Sequence, residues 1–321
     1  MPLNYLKLWI LGLTLTSGLS AFSQDYPSRS VRLVDPYAPG GSTGVVSRII
    51  SKKFQEFTKQ SLVVDNRPGA GSNIGNDIVA KSAPDGYTLL LGTSSLAINP
   101  SLYKTMTYDP MKELSPIIGL IKASNVLAVD ASLPIRSVKE LIEYAKTNPT
   151  KLNYGSSGNG ATNHMAMEML KSMAGIQISH IPYKGGGEAM QALLGKQIQV
   201  MFNPSTSLAP HEKSGRVRLL AVTSDKRIEG LELPTVSEAG LPGFESSVWF
   251  ALFAPSGTPV AIVEKINNEV NKILKDKETQ DVLQGAGMTI LGGSIEQMKA
   301  LIQKDTLRWE AVVKASGARI D

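Results

Sequence analysis

The sequence predicts an α/β protein folded as two lobes around a largely parallel sheet with a cleft between them, and three observations predict it. Apolar runs alternate with segments of helical period from Val31 onward, the pattern of strands joined by crossover helices. Setting aside an N-terminal leader leaves 321 − 23 = 298 residues, more than one hydrophobic core comfortably serves. Four small-residue loops each stand between a strand-like run and a helix-like stretch, where α/β proteins bind their ligands.

The chain opens with Lys7, the apolar run Leu8 to Leu13 and small residues ending at Ala21-Phe22-Ser23, which predicts a secretory signal peptide over 1–23 cleaved after Ser23. The alternative, a membrane anchor, lacks the ~20 apolar residues a bilayer needs. Export and a periplasmic location are the expectation. Strands are expected at Val31–Val34, Leu62–Asp65, Thr88–Gly92, Asn125–Val129, Lys151–Tyr154, Ser179–Ile181, Gln199–Phe202, Arg218–Thr223 and Ser247–Phe253. An amphipathic stretch from Val45 to Phe57 follows the first. Ser137-Val138-Lys139-Glu140 and Ser294-Ile295-Glu296-Gln297 have capping-box spacing and open helices. Thr258-Pro259 offers an N-cap with proline at the first helical position. Met165, Met169 and Met173, four apart, read as the core stripe of one helix.

No linker or repeat divides the chain, so the lobes are expected to interleave. Residues 24–124 and 250–321 form a discontinuous first lobe and 125–249 the second, with Asn125–Val129 crossing over and Ser247–Phe253 crossing back. Two crossings make a hinge.

Composition excludes several chemistries. Cysteine is absent, which removes disulfides and thiolate chemistry. The formal charge of +5 becomes +4 without Lys7, and aromatics are 6%; the lysines are dispersed, so nucleic-acid binding is disfavoured. Gly69-Ala70-Gly71-Ser72-Asn73-Ile74-Gly75 misses the dinucleotide fingerprint by one residue, and Gly195-Lys196 is followed by Gln197 instead of Ser or Thr. Ser101-Leu102-Tyr103-Lys104 has no partner motifs, and Gly155-Ser156-Ser157-Gly158 is not a nucleophile elbow. His164, His180 and His211 lack metal-ligand spacing. Neither enzyme activity, cofactor nor metal is expected.

The loops are the candidate site: Pro36 to Thr43, Asn66 to Asn73, Thr93 to Ser95 and Gly155 to His164. Glycines let backbone N–H groups approach a ligand, hydroxyls add donors, and helix N-termini favour an anion. The ligand class this implies is a carboxylate. His164 either turns its ring toward that anion or braces the loop.

The stretches YPSRSVRLVDPYAPGGST, VVDNRPGAGSNIG, AKSAPDGYTLLLG, NPSLYKTMTYDP, LNYGSSGNGATNH, HIPYKGGGEAMQALLGKQIQVMF, RLLAVTSDKR, LPTVSEAGLPGFE and APSGTP, in this order and spacing, resemble the Bug family, extracytoplasmic solute receptors of tripartite tricarboxylate transporters. The resemblance spans Tyr26 to about Pro259. It implies the type II periplasmic-binding-protein fold, two α/β lobes joined by two crossing strands, which close over a small organic anion for delivery to membrane subunits of the transporter. A receptor of this kind works as a monomer. The resemblance implies ligand contacts from Ala38, Pro39, Gly40, Gly41, Ser42 and Thr43, from Gly69, Ala70, Gly71, Ser72 and Asn73, and from Thr93, Ser94 and Ser95. The second lobe is implied to add Ser156, Ser157, Gly158, Asn159, Ala161, Thr162, His164, Tyr183 and Asn203. Two positions depart from the family, which usually has Asp where this chain has Gly44 and often where it has Asn203. Losing both carboxylates raises the potential of a cleft they border and removes partners for an ammonium, so the expected ligand carries one or two carboxylates and no amino group. The competing account of Gly44 is a relaxed helix start. A sensory receptor and, more remotely, a secreted hydrolase are the alternatives.

Overall fold

The computed structural model describes residues 26–228 and 230–320, and the leader with its cleavage point after Ser23 lies outside the described residues. Three parallel strands open the chain: β1 (Val31–Asp35), β2 (Leu62–Asn66) and β3 (Thr88–Thr93), with Val31 opposite Leu62 and Arg32 opposite Thr88. Helices α1 (Ser42–Thr58), α2 (Asn73–Ala80) and α3 (Ser95–Leu102) follow them in turn. Their apolar faces cover the sheet, and Val46, Ile50 and Phe54 of α1 are fully buried against it.

A short helix, α4 (Pro110–Glu113), capped by Asp109, leads into β4 (Leu114–Asp130). This strand is the axis of the molecule. Its first part pairs antiparallel with β9 (Ser247–Pro255) and β10 (Met288–Gly292); its last residues, from Asn125, pair antiparallel with β7 (Val200–Pro204) and β8 (Val217–Val222). The expected crossing strand at Asn125–Val129 is thus the end of a strand that starts eleven residues earlier, at Leu114. Pro116 and Gly119 disguise the earlier part, and the ladder to β9 is irregular beside both. The sheet is also mixed instead of largely parallel, because every pairing of β4 and β9 is antiparallel.

Between the crossings lie α5 (Val138–Thr147), β5 (Asn153–Ser156), α6 (Thr162–Ala174), β6 (Ser179–Pro182), α7 (Gly186–Leu194) and α8 (Ser205–Lys213); the chain ends with α9 (Val260–Lys275), α10 (Lys277–Gly285) and α11 (Ile295–Ser316). One pair of apolar clusters draws on residues up to Ala123 and from Val248 on, the other on residues 126 to 244. Met165 is the exception: it sits on α6 but is buried among α3 and α11 side chains of the first pair. The methionine stripe ends early, with Met173 42% exposed and Met167 buried in its stead, since a spacing of four drifts around a helix of period 3.6.

The capping box of α11 is complete, with Ser294 and Gln297 bonded reciprocally. Ser137 caps α5, while Glu140 reaches back to the Arg136 N–H at 2.6 Å. Thr258 does not cap α9. Its hydroxyl donates to Pro255 O at 2.8 Å, and Pro259 stands at the cap position.

Candidate functional site

A slot of about 50 Å³ lies where the two halves of the sheet meet. From the first half come Tyr37, Ala38, Gly41, Ser42, Thr43 and Thr93; from the second Ser157, Ala161, Thr162, Asn163, Gly186, Asn203 and Pro204; and from the crossing strands Asn125, Val248 and Phe250. None of these lining residues is charged.

Helix ends supply the polarity. The lining includes the first residues of α1, α6 and α7 and Pro204, the N-cap of α8; the N-caps Gly41, Ala161, Gly185 and Pro204 provide no side-chain hydrogen bond to their helices. Helices α4, α5, α10 and α11, whose starts lie away from the slot, are capped by Asp109, Ser137, Asp276 and Ser294, while α2, α3 and α9 also start without a side-chain cap. Uncapped N–H groups and four helix dipoles therefore face a common space. Two threonines reinforce this. Thr43 and Thr162, each 5% exposed, stand in the first turns of α1 and α6 with hydroxyls that have no hydrogen-bond partner, and an unpaired buried hydroxyl costs stability unless a ligand engages it.

Around the slot, the halves touch through glycine. The Ala38 N–H donates to Lys184 O at 3.1 Å, and the Tyr103 hydroxyl to Asn159 O at 3.2 Å. A Cβ on Gly71 would stand 1.7 Å from Asn159 O, one on Gly160 2.0 Å from Asn99 Oδ1, and one on Gly187 3.3 Å from the Gly40 carbonyl carbon. The two halves are in contact around the slot, and these contacts depend on the missing side chains.

Of the expected site residues, Ala38, Gly41, Ser42, Thr43, Thr93, Ser157, Ala161, Thr162 and Asn203 line the slot. Pro39 and Gly40 lie exposed beside it. The loop Gly69 to Asn73 is placed elsewhere. It forms a 3-10 turn at Ala70–Ser72, with Gly71 at the seam and Ser72 and Asn73 held in a buried network. In that network Tyr37 Oη bonds Thr93 Oγ1 (3.0 Å), Thr93 bonds Ser95 (2.8 Å), Ser95 bonds Ser72 (2.7 Å), and Asn99 donates to Asn73 (2.8 Å). Ser94 accepts from the Trp249 N–H at 2.9 Å. These hydroxyls are committed to one another.

Ser156, Gly158, Asn159, His164 and Tyr183 also stand back from the slot. His164 braces: its Nδ1 accepts from the Gly160 N–H at 3.2 Å, and its ring stacks on His180 with centroids 4.3 Å apart. His180 stacks in turn on Tyr154 at 4.6 Å and bonds Ser156 Oγ at 2.6 Å. Burial, together with Lys171, lowers His164 to about 4; burial, with His164 and Lys171 beside it, lowers His180 to about 3. Both rings are neutral at physiological pH.

Tyr37, Asn125, Asn163, Gly186, Pro204, Val248 and Phe250 were not expected. A signal existed for Gly186, since Gly185-Gly186-Gly187 before α7 repeats the pattern of the other loops. Asn163 orients Ser157, accepting from its N–H at 3.2 Å and donating to its hydroxyl at 3.0 Å. As for the two departures, Asn203 borders the slot and donates to Ser207 Oγ at 2.8 Å. Gly44 is buried in the first turn of α1, and beyond its chain neighbours and the backbone of its own helix no heavy atom lies within 4 Å of the position a Cβ would take.

Residues 46–318 match the family model described as tripartite tricarboxylate transporter family receptor. The solved structure of Rhodopseudomonas palustris Rpa4515 with adipate is 38% identical with a TM-score of 0.89, covering 92% of this chain and 100% of that one. The periplasmic binding protein BugD is 35% identical with a TM-score of 0.88, covering 92% and 99%. MatC from the same Rhodopseudomonas species, with bound malate, is 29% identical with a TM-score of 0.84, covering 90% and 100%.

Proposed function

The chain belongs to the tripartite tricarboxylate transporter receptor family, periplasmic solute-binding proteins and not enzymes, and from this premise we propose that it captures a small carboxylate lacking an amino group and delivers it to the membrane subunits of such a transporter. The observation that carries the ligand class is the convergence of four uncapped helix N-termini and two unpartnered buried threonine hydroxyls on a slot lined by no charged side chain. Such a site offers donors to an anion and no carboxylate to an ammonium. Relatives solved with adipate and with malate support the same reading.

The proposed lobes are 24–124 with 250–321, and 125–249, after removal of the leader at Ser23. The ligand bridges them, and closure follows because the closed state binds it better than the open one. Lining residues on both sides of the slot, from Thr43 to Asn203, are the proposed contacts, and the closed receptor is the form its membrane partner reads.

A thermal-shift screen of residues 24–321 against adipate, malate, citrate, benzoate, amino acids and sugars tests this. A ligand at 100 times its Kd adds about 2.7 kcal/mol. Stabilisation by one or more amino-free carboxylates is expected. A response confined to amino acids or sugars refutes the assignment.

A further inference from the structure

Behind the slot, at the end of β1, stands Asp35, with no exposed surface. Its Oδ1 accepts from the Tyr37 N–H at 3.1 Å, and the hydroxyls of Thr43 and Ser47, one turn apart on α1, help to hold its charge. Yet neither Asp35 Oδ2 nor Thr43 Oγ1 has a formed hydrogen bond. Thr43 lines the slot where a ligand carboxylate is proposed to sit and also neighbours the buried Asp35 carboxyl, and it has one proton to give.

We infer that Asp35 is a positioning residue that makes ligand capture proton-coupled: a proton taken from bulk water onto Asp35 Oδ2 is donated to Thr43 Oγ1, and the Thr43 hydroxyl proton is thereby turned toward the bound carboxylate. The inference rests on the carboxylate reading above. When Asp35 is ionised it competes for the Thr43 proton and leaves oxygen lone pairs facing an anion. When it is protonated, the hydroxyl serves the ligand, and the charge behind α1 is gone. Burial already raises the Asp35 carboxyl to about 6, and an anion arriving beyond Thr43 raises it further.

The other ionisable groups on the surrounding elements are engaged or remote. Tyr37 is neutral, its phenol pushed up by burial. At the end of β2, Asp65 accepts from Arg32 at 2.8 Å and Arg67 at 3.0 Å. Asp77 of α2 pairs with Lys81 at 2.7 Å, and Arg48 of α1 is exposed.

The test is calorimetric titration of the mature chain with adipate and with malate between about pH 6.5 and 8, where both ligands are dianions, in buffers of different ionisation enthalpy. Binding is expected to take up close to one proton, with Kd rising up to about tenfold per pH unit. Asp35→Asn, which keeps the shape and supplies a fixed donor toward Thr43, is expected to bind with a flat pH profile and no uptake. Carboxylate binding by the wild type with no uptake and a flat profile overturns the inference and leaves the receptor reading intact. Uptake undiminished in Asp35→Asn overturns it too. No binding of either acid at any pH removes the premise and the inference with it. Should Asp35→Asn fail to fold, the wild-type buffer dependence alone decides.

Discussion

Replacing Gly71 by alanine separates closure from ligand contact, because Gly71 touches the opposite half of the molecule but does not line the slot. Its φ of +60 lies in the left-handed region, so alanine there costs roughly 1 kcal/mol in any state of the protein. A Cβ there would also meet Tyr103 Oη of the same half at 2.6 Å, at the end of a side chain; the tightest clash exists only when the halves meet. A Cβ 1.7 Å from Asn159 O must retreat by about 2 Å to reach an ordinary contact. That movement breaks the Ala38–Lys184 and Tyr103–Asn159 bonds, each worth about 1 kcal/mol. About 2 kcal/mol lost from the closed state alone weakens binding roughly 30-fold. Calorimetry of Gly71→Ala with the best carboxylate from the screen reads the affinity, and small-angle scattering with ligand present reads the extent of closure. Gly215→Ala is the control: its φ is +69 but its Cβ would meet open space, so it shares the backbone cost and spares the seam. If both variants bind like the wild type, the liganded halves do not meet at Gly71, and the seam is no measure of closure.

Adding back carboxylates tests the departures from the family. Asn203→Asp places a charge on the slot wall and is expected to weaken dicarboxylate binding at least tenfold while admitting amino acids; Gly44→Asp, for which there is room, is expected to strengthen the start of α1 by a few tenths of a kcal/mol yet act against the anion in the same direction. Thermal melts with an added amino acid would show whether either variant gains a new ligand. Acid is expected to weaken the fold through His164 and His180. Their folded values, about 4 and about 3, lie below the ~6.5 of an unfolded histidine, so their contribution is complete above pH 6.5 and is lost as pH falls. By pH 5 each gives up about 2 kcal/mol, of which Asp35, with its raised value, returns about 1. The melting temperature should therefore drop between pH 7 and 5, and drop less in His164→Asn/His180→Gln; a pH-independent melt would refute the buried neutral pair.

What the sequence made legible were local signals with a fixed span. Glycine-rich turns between apolar runs located α1 and α6, and Ser294 with Gln297 located α11, because each signal lies within a few residues of its effect. Contacts made at a distance stayed hidden. His164 and His180 are separated by the remainder of α6 and the loop leading into β6, and nothing in their spacing says their rings stack. Asn125 and Val248 line the slot only because the two crossing strands pass through it side by side. The loop Gly69 to Asn73 has the composition of its neighbours, and only the packing of Asn99 and Ser95 against it turns it from the slot to the seam. Asp35 reads as a strand-end residue until the first turn of α1 is seen to cover it.

The bare ends of α1, α6, α7 and α8 bear on how this molecule should be engineered. Consensus practice would put Ser, Asp or Asn at Gly41, Ala161 or Gly185, and each change would seem an improvement, worth about 1 kcal/mol at Ala161 and a few tenths at the glycines. But a capping carboxylate or hydroxyl takes the very donors that the slot holds open, so it is a tethered competitor that no washing removes. Selection for a longer-lived fold and selection for an empty, receptive site pull in opposite directions at the same residues, and thermostabilised versions chosen by melting temperature alone would be enriched in receptors that occupy themselves.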